Sequence, residues 1–97
     1  MNYALYCTDK ADHLSLRLDT RPAHVEYLED LNAKGKLVFA GPTLGEDGKP
    51  NGSIVVIHAA DLAEAETIAA NDPYAKAGLF SQVEIRGWNW VFNKPES

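Results

Sequence analysis

Large hydrophobic residues alternate with smaller or polar ones through NYALYCT, residues 2–8, a period of two rich in aromatics that predicts a first strand. The following DKADHLSLRLDTR, residues 9–21, is less regular. Its Leu14 and Leu18 stand four apart, which suits a short helix or helical turn inserted before a main helix. That main helix is predicted over PAHVEYLEDLNAKG, residues 22–35. Pro22 fits its first turn, His24, Val25, Leu28 and Leu31 share a face, and Gly35 supplies a left-handed stop. KLVFAGP then reads as a strand ending at Gly41 and Pro42, TLGEDGKPNG as a polar hairpin loop, and SIVVIHAA as a returning strand.

A second helix is predicted over DLAEAETIAANDP. Asp61 caps it, Glu64 three residues on completes a variant of the capping box, and Pro73 stops it by disfavouring helix at Asp72. Its face of Leu62, Ala65, Ile68 and Ala69 is small, which implies close packing on a sheet. LFSQVEIRGWNWVF, residues 79–92, reads as a long last strand whose apolar parity changes at Gly87, so a bulge is expected there. NKPES, residues 93–97, is a polar tail to a single domain covering residues 1–97.

The order strand, helix, strand, strand, helix, strand is that of an α+β, ferredoxin-like βαββαβ sandwich with an antiparallel four-stranded sheet. Both helices of that topology lie on one sheet face. Yet the third strand is apolar on both parities, with Ile54 and Val56 pointing one way and Val55 and Ile57 the other. The helix-free face therefore needs a cover, and a homodimer, sheet against sheet, in the manner of a dimeric α+β barrel, is the economical one.

Charge and composition narrow the partners. The net charge is −5 and the nine Lys and Arg residues are scattered, so no basic cluster exists to neutralise a nucleic acid. No apolar run approaches the roughly 20 residues of a membrane span, and no secretory pattern precedes the first strand. A cytoplasmic location is expected, consistent with a lone Cys7 that has no internal disulfide partner. In its strand context Cys7 reads as a packed small apolar residue rather than a nucleophile.

The topology brings particular chemistry together. With the first strand running up, the first helix runs down and the second runs up, so a His24 near the start of one and an Asp72 at the end of the other share a pole. Gly41, Pro42, Arg17 and Arg21 are expected at the same end. A carboxylate bonded to an imidazole fixes its tautomer and stabilises the imidazolium formed on proton uptake. A helix N-terminus beside His24 would favour the neutral ring, and Arg17 or Arg21 could hold a small anion bidentately. The competing reading is structural: a histidine in a first turn often serves only to bond nearby backbone, and Asp before Pro is a common turn. No zinc spacing, P-loop or dinucleotide fingerprint is present, and His13 and His58 share no ligand spacing with each other.

DKADHLSLRLDTRPAHVEYLEDLNAKGKLVFAGP, a strand beginning GS, and AETIAANDPYAKAGLF together resemble the YCII-related (YciI-like) family from Tyr3 to about Phe92. The resemblance implies a dimeric α+β barrel related in fold to muconolactone isomerases and small cofactor-free monooxygenases. It also implies an active site at a His and an Asp, here His24 and Asp72, with Arg17, Arg21, Gly41, Pro42, Ser53 and Tyr74 around it. The expected function is a lyase- or isomerase-type enzyme without cofactor or metal, acting on a small cyclic or aromatic anion. A non-catalytic small-molecule-binding dimer is the alternative, and a haem-linked activity finds no support in length or residue pattern.

Overall fold

The structure, a computed structural model, describes residues 1–95. Four strands, β1 (Asn2–Asp9), β2 (Leu37–Leu44), β3 (Pro50–His58) and β4 (Phe80–Trp88), form one antiparallel sheet in the order β2-β3-β1-β4. Helices α1 (Leu14–Ala33), α2 (Leu62–Asn71) and the single turn α3 (Pro73–Lys76) complete the βαββαβ arrangement, so the expected ferredoxin-like α+β fold is the one observed. The polar tail expected from Asn93 runs on into residues 96 and 97, which lie outside the described residues.

The largest departure from expectation is α1. It begins at Leu14 and runs 20 residues straight through Pro22, so the expected short helix and main helix are one element. A proline inside a helix removes one i→i−4 bond, here the one to Leu18. Leu18 is 56% exposed, so water can replace the missing partner. The far end is as expected. Gly35, at φ 73°, follows the last turn, its N–H donating to the Asn32 carbonyl at 3.0 Å and the Lys36 N–H to Leu31 at 2.9 Å, a Schellman closure.

Strand limits also move. β2 continues past Gly41 and Pro42 to Leu44, because Pro42 sits on an edge strand where its missing N–H costs no ladder bond. β4 stops at Trp88, and its pairing with β1 is unbroken from Asn2 opposite Trp88 to Thr8 opposite Gln82. The register shift falls between Thr8 and Asp9 instead of at Gly87.

Alternation along β1 and β3 separates the two faces. Tyr3, Leu5, Cys7, Val55 and Ile57 point to the helices and are buried with Leu31 of α1 and Ala65, Ile68 and Ala69 of α2. Each large side chain so buried contributes about 1.5–3 kcal/mol. The two alanines on α2 let its backbone approach the sheet, and the Tyr27 hydroxyl ties α1 to α2 by donating to the Ile68 carbonyl at 2.7 Å. Asp61 caps α2 by accepting from the Glu64 N–H at 2.9 Å, while Glu64 accepts from Ala60 at 3.1 Å. On the helix-free face Gly52 packs so tightly that any Cβ would collide with the Cys7 carbonyl.

Candidate active site

One cavity of about 240 Å³ opens between α1 and the β2–β3 side of the sheet. Its helical wall is Arg17, Leu18, Arg21, His24, Val25 and Leu28, residues that recur every three or four positions and so form one continuous face. Ala40, Gly41 and Pro42 of β2 and Pro50, Ser53 and Val55 of β3 form the sheet wall, with Tyr74 of α3 closing one side. The lining is mostly apolar, with a few polar groups converging on the space, as small-ligand sites usually are.

His24 is buried, and its Nδ1 lies 2.8 Å from Asp72 Oδ1. A carboxylate only accepts, so Nδ1 carries the hydrogen and Nε2 keeps its lone pair. Among the described residues no buried side-chain nitrogen or oxygen lacks a partner, and Nε2 makes no protein hydrogen bond. It must therefore reach the cavity that His24 lines. Asp72 stands behind the ring, outside the cavity lining, and is 7% exposed. Pro73 holds Asp72 extended at ψ 130°, from where the same Oδ1 also accepts the Tyr74 N–H at 2.9 Å and caps α3.

The helix-dipole expectation for His24 does not hold. The ring lies more than two turns into α1, whereas N-terminal dipole effects fade within the first turn. What flanks it instead is Tyr74, whose ring stacks on the imidazole with centroids 3.9 Å apart and planes 16° apart. Arg17 sits over the same Tyr74 ring, its guanidinium carbon 4.6 Å from the centroid. Tyr74 thus packs on two side chains seven residues apart on α1. Burial raises the Tyr74 hydroxyl above its ordinary pKa despite the opposing charges of Arg17 and Arg21, so it remains a donor at neutral pH.

Arg17 is itself buried, at 4% exposure. Its Nε donates to Asp9 Oδ2 at 2.6 Å and its Nη2 to Asp9 Oδ1 at 3.0 Å, a side-on fork, with Nη2 also reaching Ser53 Oγ at 2.9 Å. Burial alone would lower the guanidinium's affinity for its proton, but the Asp9 hydrogen bond and charge outweigh it and raise the pKa. The expected bidentate edge for a ligand anion is therefore taken up by Asp9. Arg21, one turn along, is exposed at the cavity edge. Asp9 escaped the sequence reading because a strand-end aspartate carries no periodic signal. The i, i+4, i+7 spacing of Arg17, Arg21 and His24 could have revealed the continuous helix.

Cys7, the cross-strand neighbour of Ser53, is pushed up to about 12 by burial and by Asp72, which leaves it a protonated packing residue. A wider cleft is bounded by Met1, Asn2, His58, Trp88, Asn89, Trp90 and Lys94, where His58 is exposed and its Nδ1 meets Asn2 and the Met1 amino group instead of a carboxylate. No group of His, Cys, Asp and Glu among the described residues has metal-binding geometry. No helix among them is long and apolar enough to cross a membrane.

The family model for the YCII-related domain matches residues 1–89. Protein YciI of Escherichia coli is 37% identical over 95% of this chain and 100% of its own length. The derivative of benzaldehyde biosynthesis cluster protein C of Emericella nidulans is 42% identical over 78% of this chain and 82% of that protein. Among solved structures, the 5-chloro-2-hydroxyhydroquinone dehydrochlorinase of Burkholderia phenoliruptrix, in complex with 2,5-dihydroxybenzoquinone, superposes with a TM-score of 0.83 at 35% identity. That match covers 92% of this chain and 94% of the other. An antibiotic biosynthesis monooxygenase at 11% identity and a TM-score of 0.56 shares the fold alone.

Proposed function

The chain belongs to the YCII-related domain family, and on that premise we propose that it is a lyase- or isomerase-type enzyme that needs no cofactor and acts on a small cyclic or aromatic anion. The observation that carries this reading is the His24 Nδ1 to Asp72 bond with Nε2 left open to the cavity. His24 Nε2 takes a proton from the substrate, and Asp72 stabilises the imidazolium. The electron pair left on the substrate then expels a leaving group, giving a lyase, or is reprotonated elsewhere by the same ring, giving an isomerase. Arg21 draws the anion to the cavity mouth, Ser53 and Tyr74 meet its oxygens, and Gly41 and Pro42 shape the wall opposite. Support for the substrate class comes from the dehydrochlorinase neighbour and its quinone ligand.

We further take the working unit to be a homodimer joined through the helix-free face. Tyr6, Phe39 and Ile54 on that face are 51%, 43% and 41% exposed, a cluster of apolar surface that a second copy would cover. A buried, unpaired Cys7 suits a reducing, cytoplasmic setting.

The test is chloride release from 5-chloro-2-hydroxyhydroquinone by the native protein and by His24→Ala. A tuned histidine is worth about 10²–10⁴ in rate, so the variant should lose at least the lower figure while keeping its fold. Native-like turnover by His24→Ala sinks the acid/base reading. Binding without any consumption by the native protein would favour a ligand-binding module instead.

A further inference from the structure

The role of Arg17 follows from counting donors and acceptors around Ser53. Arginine can only donate, so the contact from Arg17 Nη2 to Ser53 Oγ, 2.9 Å long, uses Ser53 as an acceptor. Ser53 is 3% exposed and makes no hydrogen bond to a protein acceptor among the described residues. Its hydroxyl hydrogen is therefore unclaimed, and the cavity that Ser53 lines is where it can be used. The Tyr74 hydroxyl is in the same position. Arg17 can only donate to it, and it makes no hydrogen bond to a protein acceptor among the described residues, so its own hydrogen is likewise unclaimed at a residue that lines the cavity.

Besides Arg17 and Arg21, the cavity thus presents one acceptor, His24 Nε2, and two neutral donors, the Ser53 and Tyr74 hydroxyls. That is the complement of a hydroxy-carbonyl compound passing through its enolate: the hydroxyl or carbon acid faces Nε2 and the carbonyl oxygen, gaining charge, faces the hydroxyls. We infer that Ser53 touches the ligand as an oxyanion donor, and that Arg17, locked by Asp9, is a positioning residue that commits the Ser53 hydrogen to the ligand. In the step served, a proton leaves the substrate for His24 Nε2 and its bonding pair delocalises onto the carbonyl oxygen held by Ser53 and Tyr74. No electrons leave the substrate, so no oxidant or reductant is required. The arrangement explains why a buried cation lines the site with its Nε and Nη2 edge given to Asp9. A fork fixed on both carboxylate oxygens cannot swing, so Nη2 always presents its second hydrogen to Ser53.

This inference rests on the acid/base reading of His24 but is tested apart from it, by titrating each protein with 2,5-dihydroxybenzoquinone and following the compound's visible absorption. The native protein should bind it. Ser53→Ala should weaken binding roughly 10-fold, the scale of one hydrogen bond to a charged group, and Ser53→Thr should restore it. Arg17→Lys keeps the charge but loses the fork, and should weaken binding as Ser53→Ala does. The double variant should be no weaker than the weaker single. Where Arg17→Lys does not fold, Asp9→Asn releases the fork from its other end and should show the same loss.

Native-like affinity in Ser53→Ala would overturn the inference. So would losses that multiply in the double variant, since Arg17 would then contact the ligand itself. A native protein that does not bind this probe would overturn the ligand class. His24→Ala separates the two readings: lost turnover there with unchanged Ser53→Ala affinity leaves the acid/base reading standing alone. Retained turnover there with a weakened Ser53→Ala leaves the oxyanion donor standing without the base.

Discussion

His24 lies flat against Tyr74, 3.9 Å between ring centroids, and the guanidinium carbon of Arg17 lies 4.6 Å from the centroid of the same Tyr74 ring. Tyr74 is 1% exposed and also meets Phe80 edge-on at 6.0 Å. Removing the ring should therefore empty a cavity at the centre of the site. Tyr74→Ala is expected to cost about 3–5 kcal/mol in urea or guanidinium unfolding, whereas Tyr74→Phe, which keeps both stacks, should stay within about 1 kcal/mol of native. Equal losses in the two variants would mean that the hydroxyl and not the ring holds the site together.

Asp72 makes two bonds through one oxygen, to His24 and to the Tyr74 N–H. Asparagine can keep the shape and the cap on α3, but it removes the negative charge behind the ring. Asp72→Asn should lose about 10²-fold or more in rate while its unfolding free energy falls by only about 1 kcal/mol. Steady-state kinetics beside a melting curve would read both, and a rate loss explained wholly by unfolding would count against an electrostatic role.

Cys7 governs part of the alkaline limit. Its folded pKa, about 12, lies above the ordinary 9.0, so between those values the folded protein holds a proton that the unfolded chain releases. Its contribution is fully present below the lower value and is lost as pH rises toward the higher one, at up to about 1.4 kcal/mol per pH unit. The raised Tyr27 and Tyr74 hydroxyls act in the same direction at higher pH. Cys7→Ala should show a shallower fall in stability with pH than native, and the native thiol should resist a thiol-specific reagent until the protein unfolds.

Ile54 projects from the helix-free face at 41% exposure, beside Gly41 on β2 and Tyr6 on β1. A charge placed there would be buried in the proposed interface without a partner. Ile54→Lys should convert a dimer to a monomer in light scattering, with its helix content by circular dichroism unchanged. A native protein that is already monomeric at micromolar concentration would contradict the dimer.

The order of elements along the chain and the capping of α2 could be read from the chain because local chemistry decides them. Asp61 and Glu64 cap whatever surrounds them, and period-two alternation commits Val55 and Ile57 to one face and Ile54 to the other. Pro22 misled for a local reason too. A proline favours a first helical turn, yet Leu14 to Arg21 were already helical and the exposed turn at Leu18 tolerates the missing bond. The bulge expected at Gly87 failed because parity there changes where β4 ends, beyond the ladder with β1.

The sequence by itself determined which residues belong to one pole, since strand direction and helix order place His24, Asp72, Arg17 and Arg21 at the same end. Only the tertiary structure decided what each does there. Asp9 claims the Arg17 fork, Tyr74 packs on both Arg17 and His24, and Arg21 is left at the cavity edge. Those outcomes are competitions among donors, acceptors and ring faces that meet only after folding. Spacing along a chain says which groups can arrive, but the partner each takes depends on distances of a few ångströms between elements far apart in sequence.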